Sequence, residues 1–160
     1  MSKLRHPIAL SLIILAATPT AAKPATQFMN DAVQGDRSES TLGRLIRSRG
    51  HSAAVRAYGA TLANDHSRAH AQALALARRM HLSMTDKMMP EARTELTRLQ
   101  RMKGAAFDRE VRRYMINDHT EDIAESKSQA RNGDRQSASL ARQTLPVLQR
   151  HLRMAEALPR

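Results

Sequence analysis

Four residues in this chain have the chemistry of metal ligands and a spacing that turns each of them inward: Glu39, His66, His119 and His151. The clearest is His66, in the stretch Leu62-Ala-Asn-Asp-His-Ser-Arg-Ala-His70. Stepping about 100° per residue from Val55, the residues Tyr58, Leu62, Ala69, Ala73, Leu76 and Met80 fall in one apolar sector. His66 falls inside it, and a histidine on a buried stripe needs partners for both ring nitrogens. The same count puts Glu39 within about 20° of the centre of a face made by Phe28, Ala32, Gly35, Leu42 and Ile46. His119 shares a sector with Asp108, Val111, Met115, Asp122 and Ser126. His151 lies in the middle of a face made by Leu140, Thr144, Val147, Leu148, Ala155 and Leu158.

One carboxylate and three imidazoles suit a transition metal, with zinc, iron, copper and manganese all compatible by ligand type. The alternative is a hydrogen-bonded polar layer without metal, in which Glu39 pairs one histidine and Asp108 or Asp118 another. Asp65 falls off the core face and reads as a flanking residue. His70 lies one turn beyond His66, but Ser67 stands where a His-Glu-x-x-His zinc motif needs its glutamate, so His70 reads as a boundary residue. Met84, Met88 and Met89 lie near His81; core filling or loop packing accounts for them better than a copper site. There is no Gly-rich phosphate loop and no nucleophile elbow. Acid, base and nucleophile cannot be assigned, so the chain reads as a binding protein rather than an enzyme.

The elements that must position these residues are helices. The pattern predicts a first helix over about Thr26–Arg49, stopped by Gly50. A second follows Ser52 as N-cap and ends near Met80-His81. A short helix starts at Pro90 and runs through Met102, with Gly104 breaking it. A third long helix covers about Ala105–Ala130, and Asn132-Gly133-Asp134 signals a turn. The fourth continues to about Leu158, with a kink expected at Pro146. No strand pattern of useful length exists. Four long amphipathic helices with short connections predict an all-α antiparallel four-helix bundle, with a short extra helix between helices two and three. Counted at about 1.5 Å per residue from the turns, the four polar residues lie within one or two helical turns of a common layer. Asn-Asp-His recurs at 64–66 and 117–119, on helices two and three, where a duplicated hairpin would not place it.

A basic start (Lys3, Arg5, His6) and an apolar run from Ile8 to Ala17 predict a signal peptide over residues 1–22, with small residues at Thr20-Ala21-Ala22 for cleavage. The expected destination is periplasmic or secreted, and the domain spans 23–160. With no cysteine, neither a lipid anchor nor disulfides are available, so packing must supply stability. About 138 residues remain, enough for one core. The net charge of +11 falls to +9 once Lys3 and Arg5 leave. That charge permits contact with an anionic envelope surface. Phe28, Tyr58, Phe107 and Tyr114 are all needed near buried stripes, which leaves no stacking platform and argues against nucleic acid.

Over Phe28–Leu158 the chain resembles the exported bacterial proteins of the domain of unknown function family 4142, which belong with the ferritin-like bundles. The matching residues are Glu39, Asp65-His66, Gly104-Ala-Ala-Phe-Asp108, Asp118-His119 and Leu145-Pro146-x-Leu148-x-x-His151-Leu152. The resemblance implies a ferritin-like fold and an envelope location, but no established activity. Ferritin-type di-metal centres use Glu-x-x-His on two helices; here Ala63 and Leu148 stand at those positions, which favours a single-metal or metal-free site. The expectation is a ferritin-like domain that binds a transition metal in storage, scavenging or stress protection. The alternative is a non-catalytic protein whose basic surface meets anionic lipid or a protein partner, as a monomer or homodimer.

Overall fold

The computed structural model describes residues 22–160, so the leader expected over 1–22 lies, but for its last residue, outside the described residues. Five helices and no strand occur among the described residues: α1 (Ala25–Arg49), α2 (Ala53–Arg79), α3 (Pro90–Gln100), α4 (Gly104–Asn132) and α5 (Arg135–Glu156). None of them is long and apolar enough to cross a membrane.

The helix ends have local causes. Gly50 closes α1, its N–H donating to Ile46 O, but with φ −52° it is not in the left-handed region. Space is the reason for glycine there, since a Cβ would stand 2.9 Å from both Ile46 O and Val55 Cγ1. Ser52 caps α2, its Oγ accepting from the Val55 N–H at 3.2 Å. Pro90 opens α3, whose helix ends at Gln100 rather than Met102. The left-handed φ of +60° at Gly104 lets the chain turn into α4. Asp134 caps α5 by accepting from the Gln136 and Ser137 N–H groups. Helix α5 runs on past Pro146 to Glu156.

Two helical pairs position the polar residues. Helices α1 and α2, joined by three residues, pack along each other, as do α4 and α5, joined by two. Helix α5 touches α1 and α2, and α3 bridges α1 and α4. The α1–α2 approach is set by Gly43 and Gly59. A Cβ on Gly43 would meet Ala63 N at 2.6 Å, and one on Gly59 would meet Arg47 N at 2.4 Å. By contrast, Gly35, which shares the apolar face in the sequence pattern, has nothing nearer than Met89 Cε at 4.0 Å.

Two apolar clusters form the core. The larger joins Leu42, Ile46, Tyr58, Leu62, Phe107, Val111 and Met115 with residues of α3 and the end of α5. The smaller holds Met29, Val33, Ala73 and Ala77. Along α1, Glu39 falls between Val33 and Leu42; along α2, His66 falls between Leu62 and Ala73. The polar layer therefore separates the two clusters, at the level where apolar filling stops.

Candidate metal centre

His66 from α2, His119 from α4 and His151 from α5 meet inside the protein, 4%, 0% and 0% exposed respectively. One nitrogen of each lies within 4.8 Å of the others. His66 Nε2 is 3.2 Å from His151 Nδ1, and His119 Nε2 is 3.4 Å from the same atom. Ring centroids are 5.1–6.0 Å apart, and the planes are tilted or edge-on rather than stacked.

Each ring turns its other nitrogen outward, to an oxygen. His66 Nδ1 donates to Asp36 Oδ1 at 2.9 Å, His119 Nδ1 to Met115 O at 3.0 Å, and His151 Nε2 to Asp65 Oδ2 at 3.0 Å. Carbonyl and carboxylate oxygens only accept, so the three protons sit on the outer nitrogens. The inner lone pairs are thereby aimed at one another. This is the arrangement by which a carboxylate or carbonyl orients a metal-binding imidazole.

Burial keeps two of these rings, His119 and His151, neutral. Burial, then the neighbouring His66 and His151, holds His119 well below the usual histidine range. Burial, then His66, brings His151 down to about 4 against the opposing pull of Asp65. Burial pushes Asp65 up, but its bond from His151 with the charges of Arg150 and Arg68 holds it below the usual carboxylate range. Both arginines pair with Asp65 directly.

Glu39 is buried at the edge of this group rather than within it. Its Oε2 lies 4.0 Å from His66 Nε2 and has no hydrogen-bond partner. Glu39 hydrogen-bonds Asp118 and groups with Asp118 and His119, one ligand atom of each of the three lying within 4.8 Å of the others. Burial first, then the charges of Asp118, Asp122 and Asp36, pushes Glu39 well above the usual range. Burial likewise raises Asp118 and, well above its ordinary value, Asp122. The four residues selected by helical phase thus divide: three histidines share one centre, and Glu39 joins it to a carboxylate group.

Two pairings suggested by helical phase are different in the structure. Asp108 pairs none of the three core histidines; it accepts from the backbone N–H groups of His51 and Ser52, both at 2.8 Å, and holds the α1–α2 turn. Asp65 is no flanking residue, because it reaches across to His151 on α5. Asp36 also escaped the helical count, although it lies one turn before Glu39. His70 bonds Asp86 at 2.9 Å, away from the three-histidine group. Met84 packs on the smaller apolar cluster, Met88 and Met89 on the larger.

A cavity of about 670 Å³ opens beside the centre and is lined by His66, Glu39, Asp36, Asp65, Asp118 and Asp122 among others. Nine of the fifteen acidic residues of this basic chain line it. That concentration makes the cavity a cation-attracting region inside a cationic protein.

Residues 14–158 match the family model of a domain of unknown function, DUF4142, and the chain belongs to that family. No curated protein and no solved structure matches it.

Proposed function

We propose that this member of the DUF4142 family binds one transition-metal ion on His66 Nε2, His119 Nε2 and His151 Nδ1. The observation that carries the reading is the direction of the lone pairs. With all three protons committed to Asp36, Met115 O and Asp65, no proton is left between the inner nitrogens. Three lone pairs facing one another in a buried site repel unless a cation lies between them. A metal-free neutral layer would have to give up one outward hydrogen bond to make an inward one.

The spacing supports zinc. Four ligands about 2.0–2.1 Å from zinc stand roughly 3.3–3.4 Å from one another in a tetrahedron. Two of the three nitrogen pairs, those to His151 Nδ1, measure 3.2 and 3.4 Å. The donor set contains no sulfur, which disfavours cuprous ion. The fourth position faces the acidic side, where Glu39 Oε2 or water completes the shell. Departure from Glu-x-x-His at Ala63 and Leu148 argues against a ferritin-type carboxylate-bridged pair in this place.

Around this site the reading adds a signal peptide over 1–22, a periplasmic or secreted location, and a role in metal storage, scavenging or stress protection. Pairing of α1 with α2 and of α4 with α5 supports a ferritin-like four-helix bundle in which α3 is the extra short helix. A second reading rests on the charge distribution. Because most carboxylates face the cavity, the outer surface is more basic than the net charge suggests, and it suits an anionic lipid surface. Salt-sensitive retention on anionic vesicles that survives His151→Ala tests that second role.

Chelator-stripped protein titrated with Zn²⁺ tests the first. Binding of one ion per chain, lost in His66→Ala and in His151→Ala, is the expected result. No stoichiometric binding, or binding untouched by both substitutions, overturns the reading.

A further inference from the structure

The three-histidine centre leaves a group of arginines near the start of α4 without a task. Arg109, Arg112 and Arg113 stand at i, i+3 and i+4, on one face of the helix, where like charges repel one another. With Glu110 and Arg160 they line an open groove of about 610 Å³, built from residues separate from those of the cavity beside the histidines. The one acidic side chain in its wall is already taken. Glu110 accepts from Arg113 Nε at 3.1 and 3.0 Å and pairs with Arg98 Nη1 at 3.1 Å. Arg112 donates through Nη2 to Glu156 O at 3.3 Å, but its Nε is buried and has no hydrogen-bond partner. Among the described residues no acidic side chain pairs with Arg109, Arg112 or Arg160. Ala106, in the opening turn of α4, also lines the groove, and that turn holds neither an acid nor a side-chain cap. The positive end of the helix therefore adds to the field of the arginines.

An arginine in open water is solvated at little cost, but a guanidinium N–H sealed from water without an acceptor is costly. An anion in the groove would relieve that cost together with the repulsion between the guanidiniums. We propose that the groove binds a phosphate monoester group, with Arg109, Arg112 and Arg160 as the guanidiniums free to take it. A guanidinium fork matches phosphate oxygens two at a time. Three uncommitted guanidiniums exceed the single charge of a carboxylate or a phosphodiester, and a monoester, close to dianionic at neutral pH, answers them better. Free phosphate and a lipid headgroup such as phosphatidate present this same chemistry. The groove sharpens the basic-surface reading by giving it one address, and each can fail without the other.

Inorganic phosphate is titrated calorimetrically into full-length protein. In parallel the protein is sedimented with phosphatidylcholine vesicles that contain phosphatidate or, at matched surface charge, phosphatidylglycerol. One phosphate per chain is expected, with affinity weakened about tenfold or more in Arg109→Gln/Arg112→Gln. Arg78→Gln/Arg79→Gln, which removes the same charge from the exposed end of α2, is expected to stay near wild type. Retention on phosphatidate above phosphatidylglycerol, lost in Arg109→Gln/Arg112→Gln, makes a lipid headgroup the source. Equal retention on the two, with phosphate bound, makes free phosphate the source. Arg109→Gln alone, at an exposed position, repeats both measurements should the double variant not fold. Retention on both vesicles with neither phosphate binding nor a preference for phosphatidate overturns the groove and leaves the basic-surface reading standing. Phosphate binding without vesicle retention does the reverse. Binding that the two double variants weaken equally also overturns the proposal, since it is then a property of net charge and not of the groove.

Discussion

At the residue scale the centre depends on acids that do not touch the metal position. Asp36 and Asp65 fix two imidazoles by accepting their outer protons. Asp36→Asn and Asp65→Asn should each keep one zinc per chain but weaken it about 10–100-fold, as loss of such orienting partners does. Competition against a chromophoric chelator measures this, and an unchanged affinity in both would refute the orienting role. Asp108 offers the contrast of an inward acid with a purely structural task. Asp108→Ala strands two backbone donors at the α1–α2 turn and should cost about 2–4 kcal/mol in urea unfolding. Helical phase identified the three histidines and Glu39 because burial of a polar side chain is visible as a break in an apolar stripe. It missed Asp36 and Asp65, since a side chain on the flank of one helix gains its partner only when a second helix arrives.

At the element scale the α1–α2 pair brings Asp36 to His66. Its close approach rests on Gly43 and Gly59, where backbone meets backbone. Gly59→Ala should push the helices apart and cost about 1–3 kcal/mol or more. Chemical denaturation gives the stability, and the zinc titration should show weaker binding in the same variant, because the Asp36–His66 bond spans this interface. Wild-type stability in Gly59→Ala would show that the contact relaxes without consequence. The helix ends were largely legible: Ser52, Pro90 and the Asn132-Gly133-Asp134 turn each carry a local signal strong enough to act without tertiary help. The two glycines carry none, because a glycine within a helix pattern announces close packing only once its neighbour is known.

At the scale of the whole molecule, two sets of buried groups pull stability in opposite directions with pH. His119 and His151 titrate below their unfolded values, so they bind fewer protons folded than unfolded. Stability is therefore lost as pH falls from about 6.5 toward the value of about 4 held by His151. Glu39, Asp118 and Asp122 titrate above theirs, and the stability they contribute when protonated is lost as pH rises through those raised values. His119 and His151 already stand neutral in the folded protein across the neutral range, so the protons that a bound cation releases come from the raised carboxylates beside the centre. The gain in Tm on adding zinc should accordingly grow from pH 5 to pH 8. Thermal melts of stripped and loaded protein across that range check this, and a gain that shrinks as pH rises would contradict the ligand assignment.

What the sequence determined by itself is local and periodic. Apolar spacing near 3.6 residues makes helices, caps and prolines end them, and a polar residue within an apolar stripe must point inward. From that alone come the helical class and the inward turn of His66, His119, His151 and Glu39. Only the tertiary structure decided which of them meet. Helical phase gives a direction about an axis but neither the height at which two helices dock nor the distance between them. Those come from packing, here from Gly43 against Gly59 and from the apolar clusters above and below the layer. Packing joined the three histidines at 3.2 and 3.4 Å, set Glu39 with Asp118, and carried Asp65 to His151.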